Sequence, residues 1–149
     1  MKGGYEMNFA FVAVMFLHIL GTLALGFYVL LPLVLGKVGK LSPAAQEGTV
    51  SAVKTLNTYA QIALVLQLLT GGYLMTFRDY SVTWMVIVIV LFLAIGALSG
   101  MMGKPLRVAL EGIRSKKGFQ EVAGKQRVFS SLLCVCVLLI SFFMVYRAI

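Results

Sequence analysis

Between residues 8 and 35 the chain has 28 consecutive positions without an Asp, Glu, Lys or Arg, and a single histidine, His18, interrupts the apolar run. A helix needs about 20 such residues to cross the hydrocarbon of a bilayer. Three more runs of this kind follow, at residues 55–77, 82–102 and 128–146. Only 12% of the 149 residues are charged and 60% are hydrophobic, about half the charge that a water-facing surface requires. Lipid is therefore the expected solvent, and a chain this short makes one domain, residues 1–149. The expected fold is all-α: a polytopic four-transmembrane-helix bundle with a short cytoplasmic amphipathic helix.

The first run is long for an upright crossing, so it is expected to tilt or project. Lys2 and the small residues at Ala24-Leu25-Gly26 imitate a leader peptide, but hydrophobicity continues through Phe27-Tyr28-Val29-Leu30-Leu31. A retained helix fits better than a cleaved one. In the polar loop 36–54, Ser42-Pro43-Ala44-Ala45 reads as an N-cap followed by proline at the first helical position, so a helix restarts there and runs into the second span. Arg78-Asp79-Tyr80-Ser81 is a tight turn. Tyr73, Tyr80 and Trp84 around it form the aromatic belt expected at a membrane surface.

Loop 103–127 is the most basic segment. Pro105 can open a short helix there, with Leu106, Leu110 and Ile113 on one face and Arg107 spaced to pair with Glu111. Loops 36–54 and 103–127 lie on one side of a four-span protein and hold three and seven Lys or Arg, ten in all, against three on the other side. The positive-inside rule places both loops in the cytoplasm and both termini outside. The net charge of +8 thus reports topology. Nucleic acid is not an expected partner, because the basic residues fall between apolar spans rather than along one polar face. Arg107, Arg114, Lys116 and Lys117 form a basic cytoplasmic surface able to meet anionic lipid or an acidic protein.

Polar residues inside the spans mark candidate sites. His18 is predicted about 15 Å below the outer surface at 1.5 Å per residue, level with Gln67 and Thr70 of the second span and Ser141 of the fourth. Thr22 shares its helix face. These five residues form either a polar pocket for an amphipathic ligand, such as haem or a quinone, or a set of interhelical hydrogen bonds. One histidine cannot build a multi-histidine metal site, and no metal site is expected. Cys134 and Cys136 point about 200° apart on a helix and serve as small apolar packing residues. Gly96, Gly100 and Gly103 form a small-residue stripe for helix packing or a homodimer seam. No nucleotide-binding loop, nucleophile elbow or zinc-protease motif occurs, and no catalytic residue is predicted.

The stretches Phe16-Leu17-His18-Ile19-Leu20-Gly21 and Leu69-Thr70-Gly71-Gly72-Tyr73-Leu74, with Trp84 and Pro105, resemble a bacterial family of uncharacterised small four-helix integral membrane proteins. In layout the chain is also similar to the copper-resistance D membrane domain and to HemJ-type protoporphyrinogen oxidase. The resemblance implies a bacterial inner-membrane location and, through His18, the first-helix histidine that binds haem b in that oxidase. Three functions stay open: a binding or accessory subunit of another membrane component, a haem-binding oxidoreductase, and a small transporter or channel. The first leads, and a non-enzymatic role is preferred. The third ranks last because no span carries the polar stripe of an aqueous path.

Overall fold

The computed structural model describes residues 8–116 and 120–147, the side chains of 120–122 excepted. All secondary structure among these residues is helical: α1 (Phe9–Leu25), α2 (Phe27–Val38), α3 (Pro43–Met75), α4 (Val82–Arg114) and α5 (Gln120–Val145). Helices α1 and α2 abut at Gly26 as one 30-residue rod, Phe9–Val38, which, like Val82–Arg114 and Ala123–Val145, is long and apolar enough to cross a membrane.

Local chemistry sets the ends. Asn8 accepts from the Phe11 amide at 2.8 Å and starts α1. Ser42 caps α3 through the Ala45 amide, with Pro43 at the first helical position, as the sequence predicts. Ser81 receives the Trp84 amide at 3.1 Å and starts α4. Lys116 adopts a left-handed φ of 63° and ends it, in the place where a helix commonly reverses its backbone hand.

The buried positions repeat at alternating three- and four-residue steps. On α3 they are Val50, Val53, Asn57, Ala60, Leu64 and Gln67; on α4, Ile95, Ser99, Met102, Leu106, Ala109 and Ile113; on α5, Gln126, Ser130, Leu133 and Val137. This is the seam of left-handed helix packing. Outside the seam the surface is apolar, with Leu23, Leu33, Ile62, Leu93 and Val135 all exposed.

One predicted element changes. The amphipathic segment opened by Pro105 is not a separate surface helix, since α4 runs unbroken from Val82 to Arg114 with Pro105 inside it. Leu106, Leu110 and Ile113 do share a face, but that face is buried in the bundle, and this packing carries the helix through the hydrogen bond that proline removes. Helix α3 begins at Pro43, as the Ser42-Pro43 signal predicts, and with α4 it makes both predicted loops largely helical. At 33 residues each, α3 and α4 are about 50 Å long and project well past a hydrocarbon core of about 30 Å.

The two ends of the bundle differ. At the aromatic end Tyr80 stacks on Trp84 with centroids 4.4 Å apart, Arg147 lies over the Tyr80 ring, and Trp84 Nε1 donates to the Phe143 carbonyl at 2.7 Å. That carbonyl lies in the last turn of α5, where helices leave acceptors free. At the basic end Arg114 pairs with Glu47 at 2.8 Å. Arg114 lies in the last turn of α4, the placement the helix dipole favours for a cation. Arg107 and Glu111, the expected pair, are both exposed, and Arg114–Glu47 is the ion pair found among the described residues.

Candidate functional site

The first rod changes partners at Gly26. Before it, α1 packs along α3; beyond it, α2 packs on α5 and, less extensively, on α3. Gly26 permits the break: its amide is shared between the Thr22 and Leu23 carbonyls at 3.0 and 3.1 Å, and a Cβ there would stand 3.0 Å from the Leu23 carbonyl oxygen. Helix α1 makes no extended contact with α4 or α5. Among the described residues one flank of α1 therefore has no helix packed along it, and this flank belongs to the half of the rod that carries His18.

Four of the five predicted ligand-site residues meet on the α1–α3 contact. His18 Nδ1 lies 2.8 Å from Thr70 Oγ1. Gln67 Nε2 donates both its hydrogens, to the His18 carbonyl at 2.7 Å and to Thr22 Oγ1 at 2.9 Å. Thr22 in turn donates to the His18 carbonyl at 2.9 Å. Glycines make this approach possible. A Cβ on Gly21 would lie 2.7 Å from Gln67 Nε2, and one on Gly71 would lie 3.3 Å from His18 Cε1.

The Thr70 hydroxyl and the imidazole tautomer are coupled. A threonine hydroxyl has one hydrogen: directed to the Leu66 carbonyl at 2.7 Å it leaves Thr70 Oγ1 to accept from Nδ1–H, and directed to Nδ1 it places the imidazole proton on Nε2. Among the described residues no hydrogen-bond partner is found for Nε2, and it is not among the buried atoms left unpaired. The ring is thus held at Nδ1, and Nε2 is left without a partner among the described residues. Hydrogen bonding at one nitrogen is also how metal-bound histidines are oriented. Were a haem to bind here, His18 would be the histidine that holds it, and a second histidine would have to come from another chain. Among the described residues no group of three or more His, Cys, Asp or Glu could hold a metal ion.

Ser141 does not join this cluster. It is exposed on α5 and donates to the Val137 carbonyl of its own helix at 2.7 Å. The buried seam of α5 passes through Val137, four residues from Ser141, and α5 packs on α2 and α4 instead of α1. The glycine stripe is also placed differently from a packing seam. A Cβ at Gly96, Gly100 or Gly103 would meet nothing within 4 Å, so no helix of the bundle comes close there; Ser99, between them, is the residue that packs. Arg107, Arg114 and Lys116 are exposed at the basic end, and Lys117 lies outside the described residues.

A second polar cluster, absent from the sequence-based expectations, ties three helices in the closed part of the bundle. Tyr28 Oη donates to Asn57 Oδ1 at 2.7 Å. Asn57 Nδ2 and Gln61 Nε2 both donate to the Ser99 carbonyl, at 3.1 and 3.0 Å. Its signal was present in the seam spacing of α3, where Asn57 and Gln67 both fall on the buried three- and four-residue repeat. Gln126 is a further buried residue that spacing alone did not single out: it is fully buried on α5, and neither its Nε2 nor its Oε1 has a partner.

Comparison with known protein families, curated proteins and solved structures finds no match to this chain.

Proposed function

We propose that this chain is a multi-pass protein of a bacterial inner membrane that works as a binding subunit, holding a lipid-soluble ligand laterally at His18 and offering its basic end to another membrane component. The observation that carries the reading is the His18 ring: Nδ1 is bonded to Thr70, Nε2 lacks a protein partner, and the adjoining flank of α1 is unpacked. The second ring nitrogen is thereby left available beside that flank.

Four crossings, with both termini outside, suit the distribution of residues. Helix α3 is diluted by Asn57, Gln61, Gln67 and Thr70, yet these point inward, while Leu56, Ile62, Val65, Leu68 and Leu69 are exposed. These five exposed aliphatic side chains on its outer face support a fourth crossing. The excess of Lys and Arg at the opposite end from Trp84 supports a cytoplasmic basic end. The open glycine stripe on α4 offers a surface for self-association or for a membrane-protein partner.

Haem b is the second reading, favoured by the free Nε2 and by the layout resemblance to the haem-binding oxidase. Gentle purification with haem supplied during expression, followed by oxidised and reduced absorption spectra and solvent extraction, tests both. The lateral-site reading expects a retained lipid-soluble compound that is lost in His18→Ala. A Soret band lost in the same variant identifies that compound as haem. Identical extracts and spectra from the wild type and His18→Ala would contradict the reading.

A further inference from the structure

The outward side of α4 carries an ordered pattern of shape and charge. Ile89, Leu93, Gly96, Arg107 and Glu111 all fall within about 40° of Gly100 around the helix axis. Of these, Ile89, Leu93, Arg107 and Glu111 are exposed, as is Gly100 itself. Helix α4 packs on α3 and α5, and a Cβ at Gly96 or Gly100 would meet nothing within 4 Å. No helix among the described residues therefore closes on this face. Along it run two aliphatic side chains, then a strip without side chains, then a cation and an anion one turn apart.

The two charges select what can cover the face. Arg107 and Glu111 have the spacing of a pair within one helix, yet the ion pair found among the described residues is Arg114–Glu47. With the cation N-terminal to the acid, that spacing is the weaker order for an intrahelical pair, and both groups stay open to a partner. An anionic lipid would satisfy Arg107 and be repelled by Glu111. A fitting partner brings a flat strip at the depth of Gly96 and Gly100, and beyond it an anion for Arg107 and a cation for Glu111. A second copy in the same membrane orientation carries all of these at matching depth. Relative to Gly100, Arg107 is turned about 20° to one side and Glu111 about 20° to the other. A two-fold axis along the membrane normal therefore sets each copy's Arg107 on the same side of the seam as the other copy's Glu111, and away from its own like. The offset along the axis is about 6 Å, within reach of an arginine side chain. Lys104 lies at the edge of the face, where its long stem carries the ammonium out of the seam.

From this pattern we infer that α4 is the seam of a parallel homodimer, closed by approach of the two glycine strips and by two reciprocal Arg107–Glu111 ion pairs at the basic end. Each patch meets its own copy, the self-complementary contact of a two-fold interface. Glycine packing supplies the close approach, and the charges fix orientation and partner. The inference rests on the open α4 surface of the proposed function and is independent of His18.

The experiment mixes donor- and acceptor-labelled full-length chain in phosphatidylcholine liposomes and reads energy transfer as the chain is diluted with lipid. The wild type should transfer energy and lose it on dilution. Gly100→Leu should raise the mole fraction needed for transfer at least about tenfold, with no loss of stability in detergent, because the new side chain meets no atom of its own bundle. Arg107→Glu and Glu111→Arg should each weaken self-association, while the two variants mixed should pair with one another, since one then presents two acids at the seam and the other two bases. A role for these residues within their own helix gives no such rescue in trans. Transfer should be unchanged in His18→Ala, so the lateral site and the seam fail separately. A wild type without transfer at any dilution overturns the inference and leaves the lateral site standing. Transfer that survives Gly100→Leu, or charge variants that do not pair when mixed, overturns it as well. Transfer that requires added phosphatidylglycerol assigns the face to anionic lipid and also overturns it.

Discussion

The Tyr28 and His18 regions lie on the same rod about ten residues apart, and both contain polar side chains hydrogen-bonded to α3, yet they are built in opposite ways. Tyr28, Asn57 and Ser99 are enclosed by α2, α3 and α4, and the Tyr28 hydroxyl and the Asn57 amide have partners. At His18 only α3 is alongside, the ring is partly exposed, and one nitrogen is left free. The difference comes from Gly26, where the rod exchanges contact with α3 alone for contact with α5. A satisfied, enclosed network locks a bundle together, while a half-satisfied network at an open flank is available to something else. The closed half holds the fold, and the open half leaves the His18 ring partly exposed.

Substitutions can break that contrast. The largest effect is expected from Asn57→Leu, which strips the Tyr28 hydroxyl of its acceptor in a buried site; a loss of about 1–3 kcal/mol in detergent unfolding is predicted. Gly21→Ala should follow, at about 1–2 kcal/mol, because the added methyl lands on Gln67 where that side chain is held by two hydrogen bonds and a tightly packed contact tolerates extra volume poorly. Thr70→Val should cost only about 0.6 kcal/mol, the typical value of one interhelical hydrogen bond in a membrane, although it removes the hydrogen bond that holds the His18 ring. Gly100→Ala is expected to leave unfolding unchanged or to stabilise it by up to about 1 kcal/mol, since the new methyl meets open space. If Thr70→Val proved as damaging as Asn57→Leu, the open half would be a structural core like the closed one.

Much of this was legible before any coordinates. Long charge-free runs announce helices that can cross a membrane, and Ser42-Pro43 announces a helix start, because both depend on local chemistry. His18, Thr22, Gln67 and Thr70 were recoverable as one cluster because helix depth follows from counting residues. Ser141 was not, because depth says nothing about which helices are neighbours, and α5 sits beside α2 and α4. Pro105 misled for a related reason: its local effect is to start or kink a helix, but the buried seam through Met102, Leu106 and Ala109 keeps α4 continuous. The free Nε2 could not be read from sequence either, since it depends on which groups lie beside the ring.

The central claim is that the bundle is closed at Tyr28 and open at His18. The direct test is paramagnetic relaxation of these two rings in nanodiscs containing lipids spin-labelled along the acyl chain. The account predicts strong relaxation of the His18 imidazole and little for the Tyr28 ring. Equal protection of both rings would contradict it, because His18 would then be enclosed and the lateral site would not exist.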